Sequence, residues 1–109
     1  MIPELRETND FYCDFVLNNK IEVQKEVETE SILAFHHTNP SYPIHIVIVP
    51  KRHIVGLADV ENLKLIQEIF QVIQDLIAKY KLNETNFRVI TNGGSFQDSK
   101  HLHFHLVSE

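Results

Sequence analysis

The chain has 109 residues, 43% of them hydrophobic and 23% charged, an ordinary balance for one small globular domain. Its net charge is −5 with histidine neutral, and no basic stripe marks a nucleic-acid surface. An anionic substrate must therefore be captured by local donors rather than by long-range attraction. The lone cysteine, Cys13, excludes an intramolecular disulfide and suits a reducing cytosol. No apolar run approaches the ~20 residues that span a bilayer. Met1 to Asn19 lacks the basic and apolar regions of a signal peptide. These features predict one domain over residues 1–109, cytoplasmic and without a membrane partner.

In chain order, Leu5, Phe11, Tyr12, Phe15 and Val16 recur at roughly helical spacing, which predicts a short amphipathic helix over Thr8 to Leu17. Glu22 to Thr29 alternates Val23 and Val27 with charged neighbours and reads as an exposed strand, with Ser31 to His36 as its hairpin partner. Pro40 and Pro43 hold the next segment in a turn-rich loop. Ile44 to Val49 is β-branched at every position except His45, the pattern of a buried central strand, and Pro50 stops it. Asp59 reads as the N-cap of a long helix whose stripe (Leu63, Ile66, Phe70, Ile73, Leu76, Ile77, Tyr80) runs to about Lys81. Phe87 to Asn92 and Lys100 to Val107 complete the set as two strands. Hairpin-paired strands with segregated helices make an α+β domain on an antiparallel sheet.

Seven histidines are many for this length, and their placement is uneven. In the last predicted strand His101, His103 and His105 alternate with Leu102, Phe104 and Leu106. Side chains alternate across a strand, so the imidazoles share one face while the apolar residues pack under the helix. A solvated face explains such a row poorly, since polar strand faces favour Thr, Lys, Glu and Ser. Alternate histidines can also ligate a zinc ion. A neutral imidazole, finally, can attack phosphorus near pH 7 without first becoming an anion. The preceding loop, Gly93 to Ser99, can turn backbone N–H groups inward as an anion cradle, which favours phosphorus chemistry.

The run His101-Leu102-His103-Phe104-His105-Leu106-Val107 resembles the signature of the histidine triad (HIT) family, three histidines alternating with apolar residues. A second block, Leu33-Ala34-Phe35-His36 followed by Pro40, Pro43, His45 and Pro50-Lys51-Arg52-His53, is similar to the family's upstream motif. Asn92, Gly94 and Gln97 match its substrate loop. The resemblance runs from about Phe11 to the C-terminus and is nearest the HINT-like nucleotide hydrolase and transferase branch.

It implies a five-stranded antiparallel sheet with two helices, dimerising into a ten-stranded sheet. It also implies a purine nucleotide substrate, cleaved at the α-phosphate through a nucleotidyl-histidine. Under it His103 is the nucleophile, His45 and His105 contact the phosphate or leaving group, and His101 supports the row. Asn92, Gly94 and Gln97 bind ribose or phosphate. His36 and His53 read as structural imidazoles. Two departures bear on specificity: His37 stands where relatives place a ribose-binding aspartate, and Asp98 stands where many have Ser or Thr. A carboxylate there is either a proton donor near the leaving group or a cap for the loop. Some bacterial relatives hold a structural zinc through Cys-x-x-Cys. Here Asp10 takes the first position, which predicts no such zinc and no other cofactor. A weakly catalytic nucleotide-binding or scaffolding protein and a histidine-ligated metal enzyme are the alternatives.

Overall fold

The computed structural model describes residues 12–109, without the side chains of Asp14 and Phe15. Five strands, β1 (Lys25–Glu28), β2 (Ile32–His36), β3 (Ile44–Pro50), β4 (Arg88–Ile90) and β5 (Phe104–Ser108), form one antiparallel sheet in the order β1-β2-β3-β5-β4. One long helix, α1 (Leu63–Lys79), crosses between β3 and β4. The α+β class and the β1–β2 hairpin expected from the alternation are both present.

β3 sits in the middle because it is apolar on both faces. Ile46, Val47, Ile48 and Val49 are fully buried, and each such side chain contributes roughly 1.5–3 kcal/mol of burial. A strand buried on both faces loses the period-two pattern and reads as one unbroken β-branched run. Toward α1, Ile32, Ala34, Ile46, Ile48, Phe104 and Leu106 meet Ile69, Val72, Ile73 and Leu76 of the helix; Ile73 and Leu76 belong to the expected stripe, Ile69 and Val72 do not, and Leu63 and Phe70 of that stripe are exposed. On the opposite face Leu33, Phe35, Val47 and Val49 lie under Tyr12 and Val16. His45 and His105 belong to that second face, the first paired with Val107 and the second with Val47.

The structure departs from expectation at three places. The segment Tyr12–Val16 is a π-helical turn, closed by Leu17 N–H donating to Tyr12 C=O at 2.7 Å. Thr8 to Phe11, the start of the predicted helix, lie outside the described residues. The helix cap is Asn62, whose Oδ1 accepts the Lys64 N–H at 3.0 Å. Asp59 closes the 3₁₀ turn Leu57–Asp59 instead, its Oδ2 accepting the Gly56 N–H at 3.1 Å. Both Asp and Asn cap well, and an extra turn before α1 separates them, which a propensity reading does not see. The last strand begins at Phe104, not Lys100. Before it the chain is pinned at Leu102, whose N–H donates to Ile54 C=O at 2.6 Å, so His101 and His103 precede the ladder.

A four-residue network ties the edge strand to the end of α1. The Glu26 carboxylate accepts hydrogen bonds from Lys79 Nζ (2.7 Å), His36 Nε2 (2.6 Å) and the Tyr80 hydroxyl. Partial burial opposes the charge, but these three donors outweigh it and hold the Glu26 carboxyl down at about 2; the same contact pushes the Tyr80 hydroxyl up to about 12. His36 is thereby a structural imidazole, as its place in the motif suggests. No helix among the described residues is long and apolar enough to cross a membrane.

Candidate active site

On the face opposite α1 the imidazoles of His37, His45, His105 and His103 form a continuous row. Ring centroids are 4.4 Å apart for His37 and His45, 5.0 Å for His45 and His105, and 5.0 Å for His105 and His103. Tyr12 lies against His103 at 4.9 Å. A cavity of about 320 Å³ opens over this row, reaching His37, His103 and His105. Its apolar wall is Tyr12, Phe35, Val47 and Phe96, and its polar wall includes Thr38, Asn92, Asp98 and Ser99.

Backbone groups fix which nitrogen of each ring carries hydrogen. His103 Nδ1 lies 2.7 Å from the His101 carbonyl, which can only accept, so Nδ1 is the protonated nitrogen. Nε2 of His103 is left with a lone pair and has no hydrogen-bond partner among the described residues. His45 Nδ1 accepts the Ser41 N–H at 3.1 Å, so its Nε2–H donates to His105 Nδ1 at 2.8 Å. His105 must then carry its hydrogen on Nε2. His37 Nδ1 accepts the Asn39 N–H at 2.9 Å, leaving it an Nε2–H donor. The site thus offers one lone pair, on His103, among N–H donors.

The rings are neutral near pH 7. Burial lowers His45 and His105 to about 4, helped by the neighbouring imidazoles. Burial also lowers His103 and His37, against small raising effects from the hydrogen bonds to His101 and Asn39. Packing like groups together in a dry place disfavours their cations.

Not every expected residue reaches the cavity. His103, His105, His37, Asn92 and Asp98 do. His45 sits behind His105 with both nitrogens engaged. His101 is fully buried: its Nε2–H donates to the Pro50 carbonyl at 2.7 Å, and its Nδ1 faces Cys13 Sγ at 3.2 Å. Both act on the chemistry only through neighbours.

The glycine loop is arranged differently from the expected cradle. Gly93, Gly94 and Gln97 face a separate recess beside Val55 and Gly56. The N–H groups of Phe96 and Gln97 are spent inside the turn, on the carbonyls of Gly93 and Gly94. Gln97 is buried and donates through Nε2 to the Val55 carbonyl, so it anchors the loop. Gly94, at φ +60°, supplies the left-handed residue that the turn requires. Phe96, Asp98 and Ser99 line the cavity in their stead. Tyr12, Thr38 and Phe96 carried no sequence signal for this role, since no motif distinguishes an aromatic at a cavity mouth from a core or surface one.

Two groups bring three metal-capable donors within 4.8 Å of one another: His37, His45 and His105, and Cys13, His53 and His101. In the first, backbone N–H groups occupy the δ-nitrogens of His37 and His45, and the remaining nitrogens carry hydrogen or face one. That pattern suits an acceptor-rich ligand better than a cation. The second offers a thiol and a lone pair on His101 Nδ1, a donor chemistry that fits zinc.

The HIT domain family model matches residues 18–109, and the chain belongs to the HIT family. It is 32% identical over 98 residues to a 13.2 kDa HIT-like protein of Azospirillum brasilense, covering 85% of this chain and 80% of that one. An uncharacterized HIT-like protein of Chlamydia trachomatis is 30% identical over 96 residues, covering 84% and 86%. Among solved structures, a histidine triad protein from Clostridium difficile superposes with TM-score 0.83 at 34% identity, covering 93% of this chain and 90% of that one. A HIT family hydrolase from Legionella pneumophila gives TM-score 0.83 at 29% identity, covering 91% of each.

Proposed function

We propose that this protein hydrolyses a purine nucleotide derivative at its α-phosphate, breaking a phosphoramidate or phosphoanhydride bond through a nucleotidyl-histidine on His103. The observation that carries the reading is the 2.7 Å bond from His103 Nδ1–H to the His101 carbonyl. It leaves Nε2 as the nucleophilic atom beside the N–H donors of His105 and His37. The structural neighbour from Legionella, a HIT family hydrolase, and one from Candida albicans, a histidine triad nucleotide-binding protein at 27% identity and TM-score 0.78, support the same assignment.

In this mechanism Nε2 attacks phosphorus as the leaving group departs with the bonding pair and a proton. The imidazolium so formed keeps its Nδ1–H on the His101 carbonyl, which stabilises the developing positive charge. His105 donates Nε2–H to a non-bridging oxygen, and His45 holds His105 in that tautomer. Water then cleaves the phosphorus–nitrogen bond and returns His103 to its neutral form. Phe35, Val47 and Phe96 offer the flat apolar surface that a purine base needs. A zinc ion, if bound at Cys13, His53 and His101, would hold the π-helical turn against His101 and contribute only to structure. Protein mixed with an adenosine phosphoramidate and quenched in alkaline denaturant should carry a nucleotide-mass adduct on His103. A turnover reaction with no adduct under any quench would overturn the covalent route.

A homodimer belongs to the same proposal. β4 is an edge strand with Val89 exposed, and Phe87, Leu63 and Phe70 lie exposed as well. Pairing β4 with its copy would give the ten-stranded sheet and cover this apolar surface.

A further inference from the structure

We propose that Asp98 is a specificity-determining residue that selects a positively charged amine as the leaving group and rejects an anionic one. The inference rests on the phosphorus-transfer reading and deepens it. Among the described residues that line the cavity there is no Lys or Arg. Of the Asp, Glu, Lys and Arg side chains among the described residues, Asp98 alone lines the cavity. Lys100, two residues on, directs Nζ to the carbonyls of Gln97 (2.9 Å) and Gly94 (3.2 Å) and does not line the cavity.

Asp98 also has a definite place in the cavity wall. It is exposed at the cavity mouth, and no hydrogen bond or ion pair to a described residue neutralises it. Asp98 lines the same cavity as His103 and His105, so its carboxylate faces the space in which the attacked phosphorus and its leaving group would sit. A single phosphate is served by the imidazole N–H donors. A polyphosphate leaving group would bring further negative charge to a carboxylate, with no Lys or Arg in the described lining to receive it.

With an amine the balance is favourable. His103 Nε2 forms a bond to phosphorus as the phosphorus–nitrogen bond of the substrate breaks. The nitrogen keeps the electron pair, takes two protons from solvent at the open mouth and departs as an ammonium ion beside Asp98. Water then attacks phosphorus, the bond to His103 breaks, and both water protons return to solvent as the nucleotide leaves as its phosphate dianion.

The test uses two isosteric adenosine 5′-phosphoramidates, one of ethylenediamine (cationic tail) and one of β-alanine (anionic tail), with the full-length protein. The expected ratio of kcat/KM in favour of the cationic substrate is about tenfold in low salt, the scale of exposed charge contacts. It should shrink as salt rises toward ~0.5 M. Asp98→Asn should bring the ratio near one, and Asp98→Lys should invert it. Equal rates on the wild type, with the His103 adduct formed from both substrates, would overturn the role of Asp98 alone. A ratio that survives in Asp98→Asn would do the same. Turnover of neither substrate, with no adduct, would remove the phosphorus-transfer reading itself and this proposal with it.

Discussion

His103, the proposed nucleophile, is hydrogen-bonded to a backbone carbonyl rather than to an acidic partner, and this makes its expected pH behaviour distinctive. Burial depresses His103, and it lowers His45 and His105 to about 4, all below the usual histidine value near 6.5. Burial thus holds the proposed nucleophile toward its neutral form. kcat/KM should hold as pH falls through the usual histidine value, then decline as pH approaches 4 and His45 and His105 gain protons. A fall centred near 6.5 would show a solvated, unperturbed imidazole instead. Stability follows the same linkage. Below about pH 6.5 the unfolded chain binds protons that the folded row refuses, so stability is complete above that value and is lost as pH falls toward 4. Thermal melting between pH 7 and 4 would record the loss. His37 makes a separate prediction. Its Nδ1 is taken by the Asn39 N–H, so it offers a ribose only a donor, whereas a carboxylate would accept from both hydroxyls. The kcat/KM preference for ribo- over deoxyribonucleotide should be under about tenfold. His37→Asp should raise it several-fold, and a large preference unchanged in His37→Ala would contradict this.

The secondary-structure elements hold the row in place through a few named contacts. Asn62→Ala removes the cap of α1 and should cost about 1 kcal/mol, a drop in Tm of roughly 4–8 °C for a domain of this size. Glu26→Gln leaves Lys79, Tyr80 and His36 around a neutral amide and should destabilise by about 1–3 kcal/mol without changing kcat. Denaturant midpoints with an unchanged slope would check both. Much of this architecture was legible in the residues. The β-branched run at Ile44 to Val49 and the helical spacing that includes Ile73 and Leu76 reflect burial, the strongest term in folding, and both elements lie close to where they were expected, although Leu63 and Phe70 of the expected stripe are exposed. The triad and its apolar counterface were legible for the same reason, since a period of two sorts Leu102, Phe104 and Leu106 toward the helix. What stayed hidden depends on tertiary hydrogen bonds. Nothing local distinguishes Asn62 from Asp59 as cap. Nothing in the loop composition reveals that Gln97 turns back to Val55 while Asp98 and Ser99 turn toward His103. The tautomers depend on carbonyls and amides that only the fold brings near.

For the molecule as a whole, the exposed edge of β4 is the feature that monomeric folding leaves unresolved. Val89 and Phe87 are each 41% exposed, and Leu63 is 75% exposed on the side of α1. A small domain gains disproportionately from covering such surface. Light scattering at micromolar concentration should give twice the 12.7 kDa chain mass. Val89→Lys, which places a charge on the edge, should shift the protein toward monomer. A wild-type monomer over the whole micromolar range would contradict the dimer.

The chemistry stands or falls on one atom, Nε2 of His103. Wild-type protein and His103→Asn should be mixed with an adenosine 5′-phosphoramidate, quenched in milliseconds to seconds, and analysed by intact mass and peptide mapping. The wild type should carry a nucleotide-mass adduct on His103. The variant should bind the nucleotide and melt within a few degrees of the wild type, yet carry no adduct and turn over slower by about 10³-fold or more. Near-normal turnover in His103→Asn, or an adduct mapped to another residue in the wild type, would contradict the assignment.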